Sequence, residues 1–249
     1  MGQNNLLKQI YSLKSLPHSL LLVGSRGSEE YETVEKIAAH FDYMLYDLTE
    51  LISKEFIDEI MTSYTQTVYY INLNNISLIN QNILLKFFEE PSEYAYVILV
   101  SENIESVLQT IITRSYILHF DKYTREDLLK KFPTATDEML AICETPGQLT
   151  LAMHSNLQKL IQLCDLLVSK LAEASLRSTL SIADKINYKD DYSKYDLFLF
   201  LRCLGLSTLK YHDYESYKII LDTATSIWLM NNKQNRIELL LIKLWKSKH

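Results

Sequence analysis

Apolar residues in the first half of the chain come in short unbroken runs, separated by amphipathic stretches. Residues 19–23 (SLLLV) are apolar after the first position and are followed by Gly24, the pattern of a buried strand. Over residues 29–40 the apolar positions Val34, Ile37 and Ala38 lead on to Phe41, with acidic residues in the first turn. That spacing predicts a helix whose N-terminal dipole is complemented by its own side chains. Runs at 43–46, 67–71, 94–100 and 116–120 read as further strands. Between them, 54–64 (Phe56, Ile57, Ile60 and Met61 inward), 78–90 (stopped by Pro91) and 104–112 read as helices. Strands apolar on both faces, alternating with helices, predict a parallel sheet covered on two sides.

Beyond about residue 120 the pattern turns helical and no further strand is expected. Residues 124–132 and 137–144 read as two short helices, the first opened by Thr124 with Asp127 three residues on, resembling a helix-capping start. Pro146-Gly147 reads as a break, with another helix from Gln148. Helices are then expected over 157–174, 176–186, 192–210, 214–230 and 234–246. The one around Phe198 is apolar nearly all round, which places it at a bundle centre or an interface. The expected organisation is an α/β domain over 1–121, a small helical domain over 122–155 and a helical bundle over 156–249. No internal repeat is present.

Composition narrows the function classes. A hydrophobic content of 47% with 22% charged residues is ordinary for a globular protein. No apolar run approaches the ~18–20 residues needed to span a bilayer, and the N-terminus carries no basic-then-apolar signal. A cytoplasmic location with no membrane partner is the expectation. Basic residues are outnumbered 25 to 31, giving a net charge of -6. Grip on a nucleic-acid backbone by this chain alone is therefore disfavoured. Cys143, Cys164 and Cys203 are widely spaced in apolar surroundings and read as buried free thiols, not as a metal or disulfide framework.

The strand 19–23 leads into Gly24-Ser25-Arg26-Gly27-Ser28-Glu29-Glu30-Tyr31 and then a helix, the architecture of a P-loop. A P-loop reads G-x-x-x-x-G-K-[ST]; its backbone N–H groups face phosphate, its Lys bridges the outer phosphates and its hydroxyl holds magnesium. Gly24 fits the first position. Glu29 stands where the second glycine belongs, Glu30 where the lysine belongs and Tyr31 where the hydroxyl belongs. Two carboxylates would repel a triphosphate at close range. The acidic end that such a site needs after its third strand is also missing, because the chain has Ile71-Asn72-Leu73 there. No bound nucleotide, other cofactor, metal or small-molecule substrate is expected.

Asn82-Ile83-Leu84-Leu85-Lys86-Phe87-Phe88-Glu89-Glu90-Pro91 resembles the N-x-L-L-K-x-x-E-E-P signature of clamp-loader AAA+ subunits. Val97–Val100, Thr113-Arg114-Ser115, the entry at 16–22, the turn 144–149 and the segment 235–239 fit the same family in the same order. Among its branches the chain looks like a shortened, diverged delta-prime subunit of the bacterial DNA polymerase III clamp loader. The resemblance implies an AAA+ five-stranded parallel sheet domain, a small helical lid and a C-terminal helical collar. It implies a non-catalytic stator that assembles with ATPase subunits and delta to place the sliding clamp on primed DNA. Arg114 matches the family's arginine finger, which acts in trans on a neighbour's ATP. Lys86, Glu89 and Glu90 read as exposed helix positions over a core of Leu84, Leu85, Phe87 and Phe88. Many family members carry a four-cysteine zinc module; residues 31–66 contain no cysteine, so none is expected here. The alternatives are a diverged AAA+ NTPase with an atypical site, and a standalone replication adaptor or inhibitor of the same fold.

Overall fold

The unbroken apolar runs become the strands. In the computed structural model, which describes residues 3–53, 57, 58, 60, 62, 64–90, 92–187, 195–227 and 233–249, five parallel strands form one sheet. They are β1 (Ser19–Val23), β2 (Met44–Asp47), β3 (Thr67–Asn72), β4 (Ala95–Ser101) and β5 (Tyr116–His119), in the spatial order β2-β3-β4-β1-β5. Every residue of β1 and β4 is buried. Leu20 and Leu22 pack on one face with Leu6, Ile10, Val34 and Ile37, which belong to helices α1 (Asn4–Tyr11) and α2 (Glu30–Phe41). Leu21 and Val23 pack on the other face with Leu84, Phe87, Val107 and Ile111. Each such buried Leu, Ile or Phe contributes about 1.5–3 kcal/mol of burial.

The register aligns the carboxyl ends of the strands. Val23 pairs with Ser101 and His119, and Asn72 with Val100. Gly24, Asn72 and Ser101 therefore lie along one edge of the sheet.

Two expected helices are interrupted. The segment 78–90 splits into α3 (Leu78–Gln81), a 3-10 turn and α4 (Leu85–Glu89). Asn82 Nδ2 donates to the Leu78 and Ile79 carbonyls. Gln81, fully buried, donates to the Ser106 carbonyl and accepts from the Leu108 N–H. Such side-chain bonds to the backbone compete with an α-helical ladder. The segment 104–112 is a 3-10 turn at Ile104–Ser106, then extended residues, then α5 (Gln109–Ile112). Pro146-Gly147 proves a helix start: α8 runs Pro146–His154, with Pro at the first position where its missing N–H costs nothing. It follows α6 (Arg125–Lys131), with its expected Thr124 capping box, and α7 (Asp137–Ile142).

The chain divides into two compact units, residues 1–134 with 144–148, and residues 135–143 with 149–249. In the second, α9 (Leu157–Lys170) and α10 (Leu176–Leu180) precede a pair of two-residue strands, β6 (Ile186–Asn187) and β7 (Tyr195–Asp196). This pair corrects the expectation of an all-helical second half. Then come α11 (Leu197–Lys210), α12 (Tyr214–Ile227) and α13 (Lys233–Lys246). Leu199, Phe200, Leu204 and Thr208 of α11 are buried, while Phe198 and Arg202 are half-buried and Leu206 is exposed, so one stripe of this apolar helix stays at the surface. All three cysteines are buried thiols in no disulfide, and burial pushes the Cys203 thiol up to about 12, away from the reactive range. Residues 54–56, 59, 61 and 63 of the helix expected over 54–64, Pro91, residues 192–194 and residues 228–230 lie outside the described residues. No described helix is long and apolar enough to cross a membrane.

Candidate functional site

The loop after β1 is built from its own polar groups. Gly24 continues the sheet, its N–H donating to the Ser101 carbonyl at 3.1 Å. A side chain there would meet the Phe120 ring, with a Cβ only 2.7 Å from Phe120 Cβ. Gly27 has φ +80, and Glu29 also stands in the left-handed region at φ 62. This is a conformation a non-glycine residue adopts at a cost. Glu29 thus keeps a glycine-like backbone at the position where a P-loop has its second glycine. Its side chain is anchored: Tyr123 Oη donates to Oε2 at 2.6 Å, and Lys131 pairs with Oε1.

Glu30 turns back over the loop. Its Oε1 accepts from the Gly27 N–H at 2.7 Å and the Ser28 N–H at 3.1 Å. Successive backbone N–H groups converging on one point form an anion-binding concavity, and here a carboxylate of the chain itself fills it. The carbonyls of the loop are also taken. Arg26 O accepts from Thr145 Oγ1 at 2.7 Å and Gln148 Nε2 at 3.1 Å. Gly27 O accepts from the Gly147 N–H at 3.0 Å, and Ser28 O from Gln3 Nε2 at 3.2 Å.

Asn72 closes the end of β3 on itself. Its Oδ1 accepts from the Asn74 N–H at 3.0 Å, and its own N–H donates to Thr49 Oγ1 at 3.1 Å. Neighbouring Tyr70 is held up to about 12 by burial and then by the Glu30 charge, against a hydrogen bond with Asn72. Tyr70, Asn72 and Glu30 are therefore brought together electrostatically. Ser101 donates to the Asn103 carbonyl at 2.9 Å and so belongs to its own turn.

Arg114 is not brought to this loop. It follows α5 beside the amino ends of β1 and β5, and lines a cleft of ≈ 400 Å³ with Pro17, His18, Ser19, Phe87, Phe88 and Tyr116. The Gly24 loop leaves the carboxyl end of β1, a full five-residue strand away. At ~3.3 Å per residue that puts well over 10 Å of strand between them. The Arg114 side chain is exposed, and among the described residues its guanidinium makes one hydrogen bond, from Nη1 to the Thr110 carbonyl at 3.2 Å. Ser115 anchors the corner, its Oγ 2.8 Å from Ser19 Oγ.

Lys86 is exposed and pairs with Asp58, while Leu84 and Phe87 are buried, as read from the helix pattern. The partners of the loop that the sequence reading did not find are Gln3, Tyr123, Lys131, Thr145 and Gln148. Only the last two left a local signal, since Thr-x-x-Gln ahead of an apolar run is a helix-start pattern. Among the described residues there is no cluster of three metal-ligating side chains.

Residues 46–124 match the family model described as "DNA polymerase III, delta subunit". No curated protein matches in sequence. Among solved structures, a DNA polymerase III gamma subunit-related protein from Thermotoga maritima aligns with a TM-score of 0.51 at 18% identity, covering 99% of this chain and 100% of that one. The RuvB Holliday junction branch migration motor from Thermotoga maritima aligns with a TM-score of 0.44 at 16% identity, covering 83% of this chain and 70% of that one. At such identities the likeness is one of fold. Residues 46–124 thus match a DNA polymerase III delta subunit family model, within a chain whose fold is like that of the gamma subunit-related protein.

Proposed function

We propose that this chain is a non-catalytic, delta-prime-like subunit of a DNA polymerase III clamp loader. It assembles with ATPase subunits and delta to load the sliding clamp on primed DNA, and acts in the cytoplasm. The observation that carries this reading is the Glu30 carboxylate on the Gly27 and Ser28 N–H groups. It places negative charge of the chain's own where a P-loop would take a phosphate. A triphosphate would have to displace it against the repulsion of both Glu30 and Glu29. Asn72 offers no carboxylate to a magnesium ion and spends its side chain on its own turn.

Arg114 supports the same reading from the other edge. It is out of reach of its own loop and exposed. A guanidinium so placed serves a nucleotide bound by a neighbour, where it stabilises charge developing on the phosphates. On this reading, 1–121 is a degenerate AAA+ domain, 122–155 a lid and 156–249 a collar that joins the ring. The test is to mix the protein with ATPase subunits and delta. A stable hetero-oligomer is expected, and titration of the isolated chain with Mg-ATP should give no binding heat. Failure to co-assemble, or binding of Mg-ATP at the Gly24 loop, overturns the proposal.

A further inference from the structure

The loop 24–30 and the turn 144–148 are joined more closely than a surface loop and a helix start need to be. A Cβ on Gly147 would come 2.6 Å from Gly27 Cα, and a Cβ on Gly27 would come 2.8 Å from Gly147 Cα. Two backbones approach this closely only where both residues lack a side chain. Three donors of the turn, Thr145 Oγ1, the Gly147 N–H and Gln148 Nε2, end on two successive loop carbonyls, Arg26 O and Gly27 O. The next carbonyl, Ser28 O, goes to Gln3, which is buried. Meanwhile the Gly27 and Ser28 amides go inward to Glu30. The peptide units of the loop are therefore bound on both sides: amides to an internal carboxylate, carbonyls to two distant segments.

We propose that Glu30, the loop and the turn form a clasp that stays closed without any ligand. The Glu30 carboxylate orients the amides of 27 and 28 as a bound anion would. That orientation aims the carbonyls of 26 and 27 at the turn, and the turn is held by them. The hydrogen bonds of Glu30 go to the loop, and Thr145, Gly147 and Gln148 bond to the loop carbonyls, so Glu30 acts on the turn through the shape of the loop. This rests on the reading of the loop as filled by its own charge. It does not require assembly with partners.

Hydrogen exchange followed by mass spectrometry on the full chain tests it. In the unaltered protein, millimolar Mg-ATP leaves exchange in 24–31 and 144–150 unchanged. Glu30→Ala raises exchange in both segments by about tenfold, because the loop loses two charge-assisted bonds and the turn loses its oriented acceptors. The Thr145→Val, Gln148→Leu double variant raises both as well, and Thr145→Ser alone leaves both as they were. Amides of β1 and β4 keep their protection throughout and report that each variant is folded. The proposal is overturned if Mg-ATP slows exchange at the clasp of the unaltered protein, or if Glu30→Ala loosens the loop while 144–150 stays protected. Should a variant lose protection in β1 and β4, the ATP comparison and Thr145→Ser still decide. A clasp that behaves as expected in a protein that fails to co-assemble would sink the assembly proposal and leave this one standing.

Discussion

The two edges of the five-stranded sheet treat polar groups in opposite ways. At the carboxyl edge, the amides of residues 27 and 28 and the carbonyls of 26–28 meet protein partners, and the carboxylates of Glu29 and Glu30 are both engaged. At the amino edge, an exposed arginine stands on a helix end over a cleft and spends one N–H on its own backbone. A buried polar group without a partner costs roughly 1–3 kcal/mol, and at the carboxyl edge protein groups supply the partners. An exposed guanidinium has water and can wait. The difference marks the first place as internal structure and leaves the second a guanidinium open to solvent.

Substitutions should separate the two edges cleanly. The largest effect is expected from Arg114→Ala in the assembled complex. The DNA-stimulated ATPase of the neighbouring subunits should fall by about 10³-fold or more, while urea unfolding of the isolated chain stays within ~0.5 kcal/mol. A loss of stability with unchanged ATPase would make Arg114 structural and erase the contrast. Phe87→Ala, in the buried floor beside that cleft, should cost about 3–5 kcal/mol in the same unfolding measurement, showing that the exposed corner stands on core. Glu30→Ala should cost roughly 1.5–3 kcal/mol, the range for hydrogen bonds to a charged group. A neutral effect there would mean that the loop amides are equally content with water.

The smallest effect concerns pH. Tyr70 is held up to about 12, first by burial and then by Glu30, whereas an unfolded tyrosine ionises near 10. Between these values the unfolded chain has released a proton that the folded chain keeps. The stabilisation from neutral Tyr70 is thus complete below about pH 10 and is lost as pH rises through about 12. Alkaline unfolding should show this fall, and Glu30→Gln should lower the tyrosinate titration of Tyr70 by removing the nearby charge. If the titration stays put, Glu30 and Tyr70 do not share a field and the carboxyl edge is less connected than its geometry implies.

The centre of the sheet was legible because β1, β3 and β4, buried at nearly every residue, leave unbroken apolar runs, whereas β2 and β5 at the sheet's edges are mostly exposed or half-buried. The departures of Glu29, Glu30 and Asn72 were legible because each could be placed by its distance from Gly24 or from a strand end. Helices 78–90 and 104–112 were over-read, because Gln81 and Asn82 bond to backbone in ways that periodicity does not record. The β6–β7 pair is two residues long in each strand, below any repeat that a pattern can show. The partners of the loop were invisible for another reason: Gln3, Tyr123 and Lys131 lie 25 to 102 positions away from the residues they hold, and only the fold brings them there.

The left-handed backbone of Glu29 has a practical consequence. Turning this loop into a phosphate cradle would require no new path for the main chain at that residue, since φ 62 is already the conformation a glycine would supply. An engineer would have to exchange side chains at 29 to 31 and remove the internal carboxylate. On the proposed reading, what separates this loop from a working one is side-chain chemistry at residues 29 to 31 and 72, and not the path of the main chain at Glu29.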